Sequence, residues 1–145
     1  MTMYYWDTSA LVKQFIEEVG TGEALALRAD APPHAAATIA YTETFSAFRR
    51  RVREAALKES QYHEVVRRFL QEWPAYVRIN LDESILGRSR TLLERYPLRT
   101  LDAIHLASAI ELQDQLDEPS VVISADAQLI RAAMAEHLEI KRIPL

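Results

Sequence analysis

Four acidic residues stand where a carboxylate can do more than solvate a surface: Asp7, Glu43, Asp102 and Asp126. Asp7 follows the β-prone run Met3-Tyr4-Tyr5-Trp6, and Asp126 comes directly after Val121 to Ser124. Sites in open parallel α/β sheets form outside the carboxyl ends of strands, so both acids are expected at one rim. Asp102 falls in the first turn of an apolar helix, two residues after the expected cap Thr100. The partial positive charge there favours a carboxylate, and acids are common in first turns for that reason alone. Glu43 lies about 160–200° around its helix from the apolar stripe Tyr41, Phe45, Phe48 and Val52. That alone would put it in solvent, but its helical neighbours Ala40, Ser46 and Ala47 are small enough to permit close approach of another element.

Four carboxylates at one rim repel one another and cannot all stay ionised unaided. Divalent cations resolve the conflict. Mg²⁺ and Mn²⁺ prefer oxygen donors and use few protein carboxylates together with water and substrate phosphate. Such ions generate a hydroxide nucleophile and stabilise the charge of a phosphodiester transition state. The chain has no cysteine and no histidine cluster, which fits Mg²⁺ or Mn²⁺ better than Zn²⁺. On this reading Asp7, Asp102 and Asp126 hold one or two ions, and Glu43 binds a metal or orients the attacking water.

The elements that must position these acids follow from hydrophobic period and breakers. A strand over 3–6 leads into an amphipathic helix from 8 to 18, with Thr8 and Ser9 as cap candidates. A short helix after Gly20 and Gly22 ends before Pro32-Pro33, and a short buried strand is expected over 35–38. Thr38 would cap a long helix over 39–57, and its partner over 60–73 is stopped by Pro74. The alternation of Val77 and Ile79 with Arg78 and Asn80 suits a strand near a sheet edge over 76–81. Helices are expected over 83–96 and 101–112, a buried strand over 121–123, a helix over 125–136 and a last strand over 139–143. Strands separated by single or paired helices imply right-handed crossovers, hence a three-layer α/β/α fold around a mostly parallel sheet of about four to five strands.

At 145 residues the chain fits one domain with a real core. Three glycines and six prolines leave little room for flexible linkers. Residues 1–7 lack the basic and apolar regions of a signal peptide. No apolar run approaches the ~18–20 residues of a membrane span. The expectation is a soluble, cytoplasmic protein. A net charge of −4 argues mildly against non-specific nucleic-acid binding, although an acidic metal cluster lowers the formal charge before any ion is counted.

With these residues placed, the chain resembles the PIN-domain nucleases, and within them the VapC-type toxins of prokaryotic toxin–antitoxin pairs. Four ordered pieces carry the resemblance: Asp7-Thr8-Ser9-Ala10-Leu11-Val12-Lys13, Glu43, Leu101-Asp102-Ala103-Ile104-His105-Leu106-Ala107, and Ser124-Ala125-Asp126. The resemblance implies a Rossmann-like single PIN domain over 1–145 and a metal-dependent endoribonuclease leaving 5′-phosphate and 3′-hydroxyl ends. It further implies an RNA substrate, homodimerisation and inhibition by a small cognate antitoxin. Asp7, Glu43, Asp102 and Asp126 match the family's acidic tetrad. Ser9 matches the hydroxyl residue after the first acid, and Ser124 the one before the fourth. The helix pair within 39–73 would form an arm for dimer and antitoxin contacts.

Among the remaining candidates, Arg50 lies seven residues from Glu43 and so shares its face, where it could guide an RNA phosphate. Arg99, just before the Asp102 helix, is a second phosphate candidate. The rest of the run Arg49-Arg50-Arg51-Val52-Arg53 reads as surface or partner contacts, and Lys13 as a surface residue. His105 shares a helix side with Asp102, but imidazole is a poor Mg²⁺ ligand, so it reads as a packed, hydrogen-bonded core histidine. A phosphatase of the haloacid-dehalogenase type would need a second acid two residues after the first, where this chain has Ser9. A non-catalytic PIN-like binding module is the alternative that loss of one acid would suggest, and none of the four is missing.

Overall fold

The computed structural model describes residues 2–145. The first strand, β1 (Met3–Trp6), turns directly into α1 (Thr8–Leu11) and a 3-10 turn over Val12–Gln14. Then come α2 (Thr21–Arg28), β2 (His34–Ala37), and the long pair α3 (Ile39–Arg53) and α4 (Glu59–Glu72). The chain continues through β3 (Val77–Ile79), α5 (Glu83–Arg95), α6 (Thr100–Leu116), β4 (Ser120–Ser124), α7 (Ala127–Ala135) and β5 (Glu139–Arg142).

All strand pairs are parallel and the order is β3-β2-β1-β4-β5. The strand order therefore reverses between β1 and β4, which lie side by side with Tyr5 opposite Val122 and Trp6 opposite Ile123. At such a switch point the crossovers leave in opposite directions and open a crevice above the carboxyl ends. Alternation along the strands splits the core into two layers. Tyr4, Trp6, Val121 and Ile123 pack with α1 to α4, whereas Met3, Tyr5 and Val122 pack with α5 to α7. The expected three-layer α/β/α architecture with five strands is what forms.

A poor strand former makes one of the best-buried strands. Ala35, Ala36 and Ala37 are fully enclosed between β1 and β3, so sheet position overrides intrinsic preference. Against the first layer, Phe69 of α4 sits within ring contact of Phe15, Tyr41, Phe45, Phe48 and Trp73. This aromatic cluster is what docks α4.

Three local expectations fail. The helix expected over 8–18 ends early, because the Thr21 hydroxyl takes the Ile16 carbonyl at 3.1 Å and the chain turns at Gly20 with φ +93°. A Cβ on Gly20 would come within 2.5 Å of the Pro144 carbonyl oxygen, so only glycine fits there. Lys13 is not a surface residue. It is 3 % exposed and its ammonium donates to Glu18 at 3.1 Å and to the Val19 carbonyl at 2.7 Å. Finally, Thr8, Thr38 and Thr100 do not cap their helices. Asp7 and Arg99 occupy the cap positions of α1 and α6, and Thr38 makes no capping hydrogen bond.

Truncating Phe69 to alanine removes the centre of the aromatic cluster and leaves a cavity that rigid neighbours cannot fill. The variant is expected to lose about 3–5 kcal/mol of stability in chemical denaturation. A loss under about 1 kcal/mol would mean that α4 is docked by something else.

Candidate active site

Asp7 follows the middle strand and Asp126 follows its neighbour β4, so the switch point itself brings these two acids together. Asp7 is 4 % exposed. Although it occupies the cap position of α1, its side chain does not cap. Its Oδ2 instead accepts from Ser9 Oγ at 2.5 Å and Ser124 Oγ at 2.7 Å. Each serine also receives a backbone N–H: Ala125 N donates across the junction to Ser9 Oγ at 3.1 Å, and Asp126 N donates within its own loop to Ser124 Oγ at 3.0 Å. The two hydroxyls thus stitch the start of α1 to the loop after β4. Asp126 divides its oxygens, Oδ1 capping α7 through Leu129 N at 3.0 Å while Oδ2 faces Arg99.

Asp102 enters from the first turn of α6 and is mostly buried. Burial raises its pKa, and the charges of Asp126 and Asp7 raise it further, more than the Arg99 guanidinium offsets. Arg99 reaches Asp102 and Asp126 at 3.4 Å each, and its side chain is otherwise largely in solvent.

Glu43 projects from α3 towards the same place. Its Oε1 accepts from Thr8 Oγ1 at 2.8 Å and lies 2.7 Å from His105 Nε2. Burial works to raise its pKa, but the hydrogen bond and charge of His105 and the hydroxyl of Thr8 outweigh burial and leave it below the usual value. His105 is 1 % exposed, with Tyr5 Oη 2.8 Å from Nδ1. Burial alone would lower its pKa, yet Glu43, Asp7 and Asp102 together raise it. The sequence reading of a packed, hydrogen-bonded histidine holds, but it missed that the ring reaches Glu43 and stands 3.8 Å from Asp7. The available signal was a lone polar ring beside Asp102 on an otherwise apolar helix.

On the side of α3 that carries Ser46 and Ala47, Thr8 of α1 and His105 of α6 do approach Glu43 closely. Ser46 and Ala47 line an open cleft of ≈ 1130 Å³, whose walls also carry Asp7, Glu43, Asp102 and Asp126. Arg50 and Arg99 both reach the cleft, as does Arg51, which the sequence reading left at the surface and which pairs with Glu18. Arg49 turns away to Glu59 at 3.2 Å.

Whether this rim suits a divalent ion is a question of donor chemistry and charge. Among the described residues, no group of three or more Asp, Glu or His is already placed to hold a metal ion. Arg99 supplies positive charge between Asp102 and Asp126, where burial and then the charges of Asp126 and Asp7 raise the pKa of Asp102. All-oxygen donors under mutual repulsion are the chemistry that Mg²⁺ or Mn²⁺ satisfies with few protein ligands and added water. The residues fit such an ion on that ground.

A PIN domain family model matches residues 4–135 of the chain. Ribonuclease VapC45 of Mycobacterium tuberculosis (strain CDC 1551 / Oshkosh) is 30% identical over 124 residues, covering 86% of this chain and 83% of that protein. A toxin–antitoxin complex from Klebsiella pneumoniae superposes with a TM-score of 0.61 at 24% identity, covering 86% of this chain and 88% of that one. VapBC2 from Rickettsia felis, solved with a DNA fragment from its promoter, gives 0.65 at 15% identity, covering 97% and 98%. At these identities the two structures speak for the fold alone.

The raised pKa of Asp102 has a stability consequence. Between the ordinary value of 3.8 and its higher folded value, the folded protein holds a proton there that the unfolded chain has released. The resulting stabilisation is complete below the ordinary value and is lost as pH rises through the folded pKa. Above the folded pKa and without metal, ionised Asp102 therefore opposes folding. Asp102→Asn is expected to melt at or above the wild-type temperature in chelator at pH 7, with the gap narrowing as pH falls into the carboxylate range. A lower melting temperature at pH 7 would contradict the burial and crowding of charge at Asp102.

Proposed function

The chain belongs to the PIN-domain family, in the branch of the VapC proteins, and from that premise we propose that it is a metal-dependent endoribonuclease, the toxin of a toxin–antitoxin pair. The observation that carries this reading is the convergence of Asp7, Glu43, Asp102 and Asp126 on one cleft from four separate parts of the chain. The name of its M. tuberculosis relative supports RNA as the substrate. The toxin–antitoxin complexes of the same fold support a small cognate antitoxin as partner.

Asp7, Asp102 and Asp126 would hold one or two Mg²⁺ or Mn²⁺ ions, with Glu43 either as a further ligand or as the group that orients water. The bound ion would supply Lewis acidity, activating water and stabilising the charge that builds on the phosphodiester. Ser9 and Ser124 hold Asp7 in place by donating to one of its oxygens. Glu43, held below the usual carboxylate range, stays unprotonated at neutral pH and so can align water by accepting its hydrogen. In-line attack would leave a 5′-phosphate and a 3′-hydroxyl. Arg50 and Arg99 would meet the phosphates on either side, and Arg99 would leave its two acids to do so.

The proposal extends to a homodimer, to one PIN domain over 1–145, and to an arm within 39–73 for partner contacts. Among the described residues no helix is long and apolar enough to cross a membrane, and the proposed place of action is the cytoplasm.

Antitoxin-free protein is expected to cut total cellular RNA at discrete sites with Mg²⁺ or Mn²⁺, and to stop in EDTA. Asp7→Asn should lower the rate roughly a hundredfold or more, the scale of losing one preorganised electrostatic group. Sequencing of the product ends checks both. Cleavage that survives chelation or Asp7→Asn would overturn the metal reading, and intact RNA with folded protein would favour a non-catalytic binding module.

A further inference from the structure

Glu43 is the one glutamate among the four acids, and a glutamate has three side-chain torsions to fix. Two donors fix it. Thr8 Oγ1 donates to Oε1 at 2.8 Å, and His105 Nε2 lies 2.7 Å from the same oxygen. A carboxylate can only accept, so Nε2 carries the hydrogen. In the neutral ring Nδ1 then accepts, and the Tyr5 hydroxyl at 2.8 Å is its donor. Tyr5 and His105 are both fully enclosed. A hydrogen-bonded line therefore runs from the middle strand through α6 to an acid on α3. Among the described residues no donor engages Glu43 Oε2.

This line is more than core satisfaction. His105 could have been satisfied by Tyr5 and a backbone carbonyl, yet its second nitrogen is spent on an acid in the cleft wall. The same Nε2 stands 3.8 Å from Asp7, so one ring spaces two acids of the rim. We infer that His105 is a positioning residue for the hydrolysis: through Nε2 it holds Glu43 Oε1 against Thr8, leaves Oε2 to the cleft, and acts on the substrate only through Glu43. The inference rests on the nuclease reading above. It ascribes to the ring no transfer of protons and no contact with RNA.

The test is a double-mutant cycle on a defined RNA, with kcat and KM measured separately, beside NMR of the histidine side chain. His105→Leu keeps volume and removes the donor. It is expected to lower kcat about 10- to 100-fold with KM changed less than about threefold. His105→Gln, which can present an N–H near the same place, should recover most of the loss. In a Glu43→Gln background, His105→Leu should cost nothing further, because the two act as one unit. Independently of activity, the ring should be the Nε2–H tautomer with a slowly exchanging proton, and Glu43→Ala should speed that exchange. An Nδ1–H tautomer, wild-type kcat in folded His105→Leu, or losses that multiply with Glu43→Gln would each overturn the inference. If His105→Leu does not fold, Thr8→Val with His105→Gln carries the test: loss of kcat in the first and its retention in the second support the inference, and the reverse overturns it. Intact RNA with folded wild-type protein would instead refute the nuclease reading itself, leaving the NMR result to judge His105 alone.

Discussion

Ser9 and Ser124 each donate a hydrogen bond to the same oxygen of Asp7, so a buried carboxylate at the end of the middle strand is compensated by two hydroxyl dipoles in place of a counter-ion. Burying a charge is tolerable only when it is hydrogen-bonded or paired. Because one hydroxyl comes from the first turn of α1 and the other from the end of β4, the bonds that satisfy Asp7 also fix the two central strands at their carboxyl ends. Backbone N–H groups of Ala125 and Asp126 complete the junction. Local folding and site assembly are the same set of contacts here.

Around that fixed charge the other acids are held by different means. Asp126 is anchored by capping α7, Asp102 by the helix that carries it, and Glu43 by Thr8 and His105. The consequence is uneven electrostatics: Glu43 sits below its ordinary pKa while Asp102 sits above it. Acids pushed apart in this way by their surroundings can take different roles at one pH. Arg99, mostly in solvent and 3.4 Å from two of them, balances part of the charge with a side chain that is free to leave.

Much of this was legible in the sequence because it depends on local rules. Strand ends followed at once by an acid placed Asp7 and Asp126, and breakers such as Pro74 fixed the helix pair. The parallel sheet followed from alternation of strands and helices. What was not legible came from long-range contact. No period or propensity shows that Lys13 folds under Gly20 to reach the Val19 carbonyl, since that depends on a turn held by Thr21. The cap residues were misread for a similar reason: Thr8 sends its hydroxyl to Glu43, 35 residues away in sequence. Glu43 itself looked like a solvent-face residue, and only the fold brings α6 alongside it. The small neighbours Ala40, Ser46 and Ala47 were the only local sign against a solvent face, and the family resemblance matched Glu43 to the acidic tetrad.

The central claim is that Asp7, Asp102 and Asp126 form the place where a divalent ion is held. Anomalous diffraction from crystals of the protein soaked in Mn²⁺ addresses it without reference to activity. The account predicts a manganese peak bounded by those three carboxylates, with Arg99 withdrawn from Asp102 and Asp126. Manganese bound only elsewhere, or a rim that stays closed by Arg99 at saturating Mn²⁺, would contradict it.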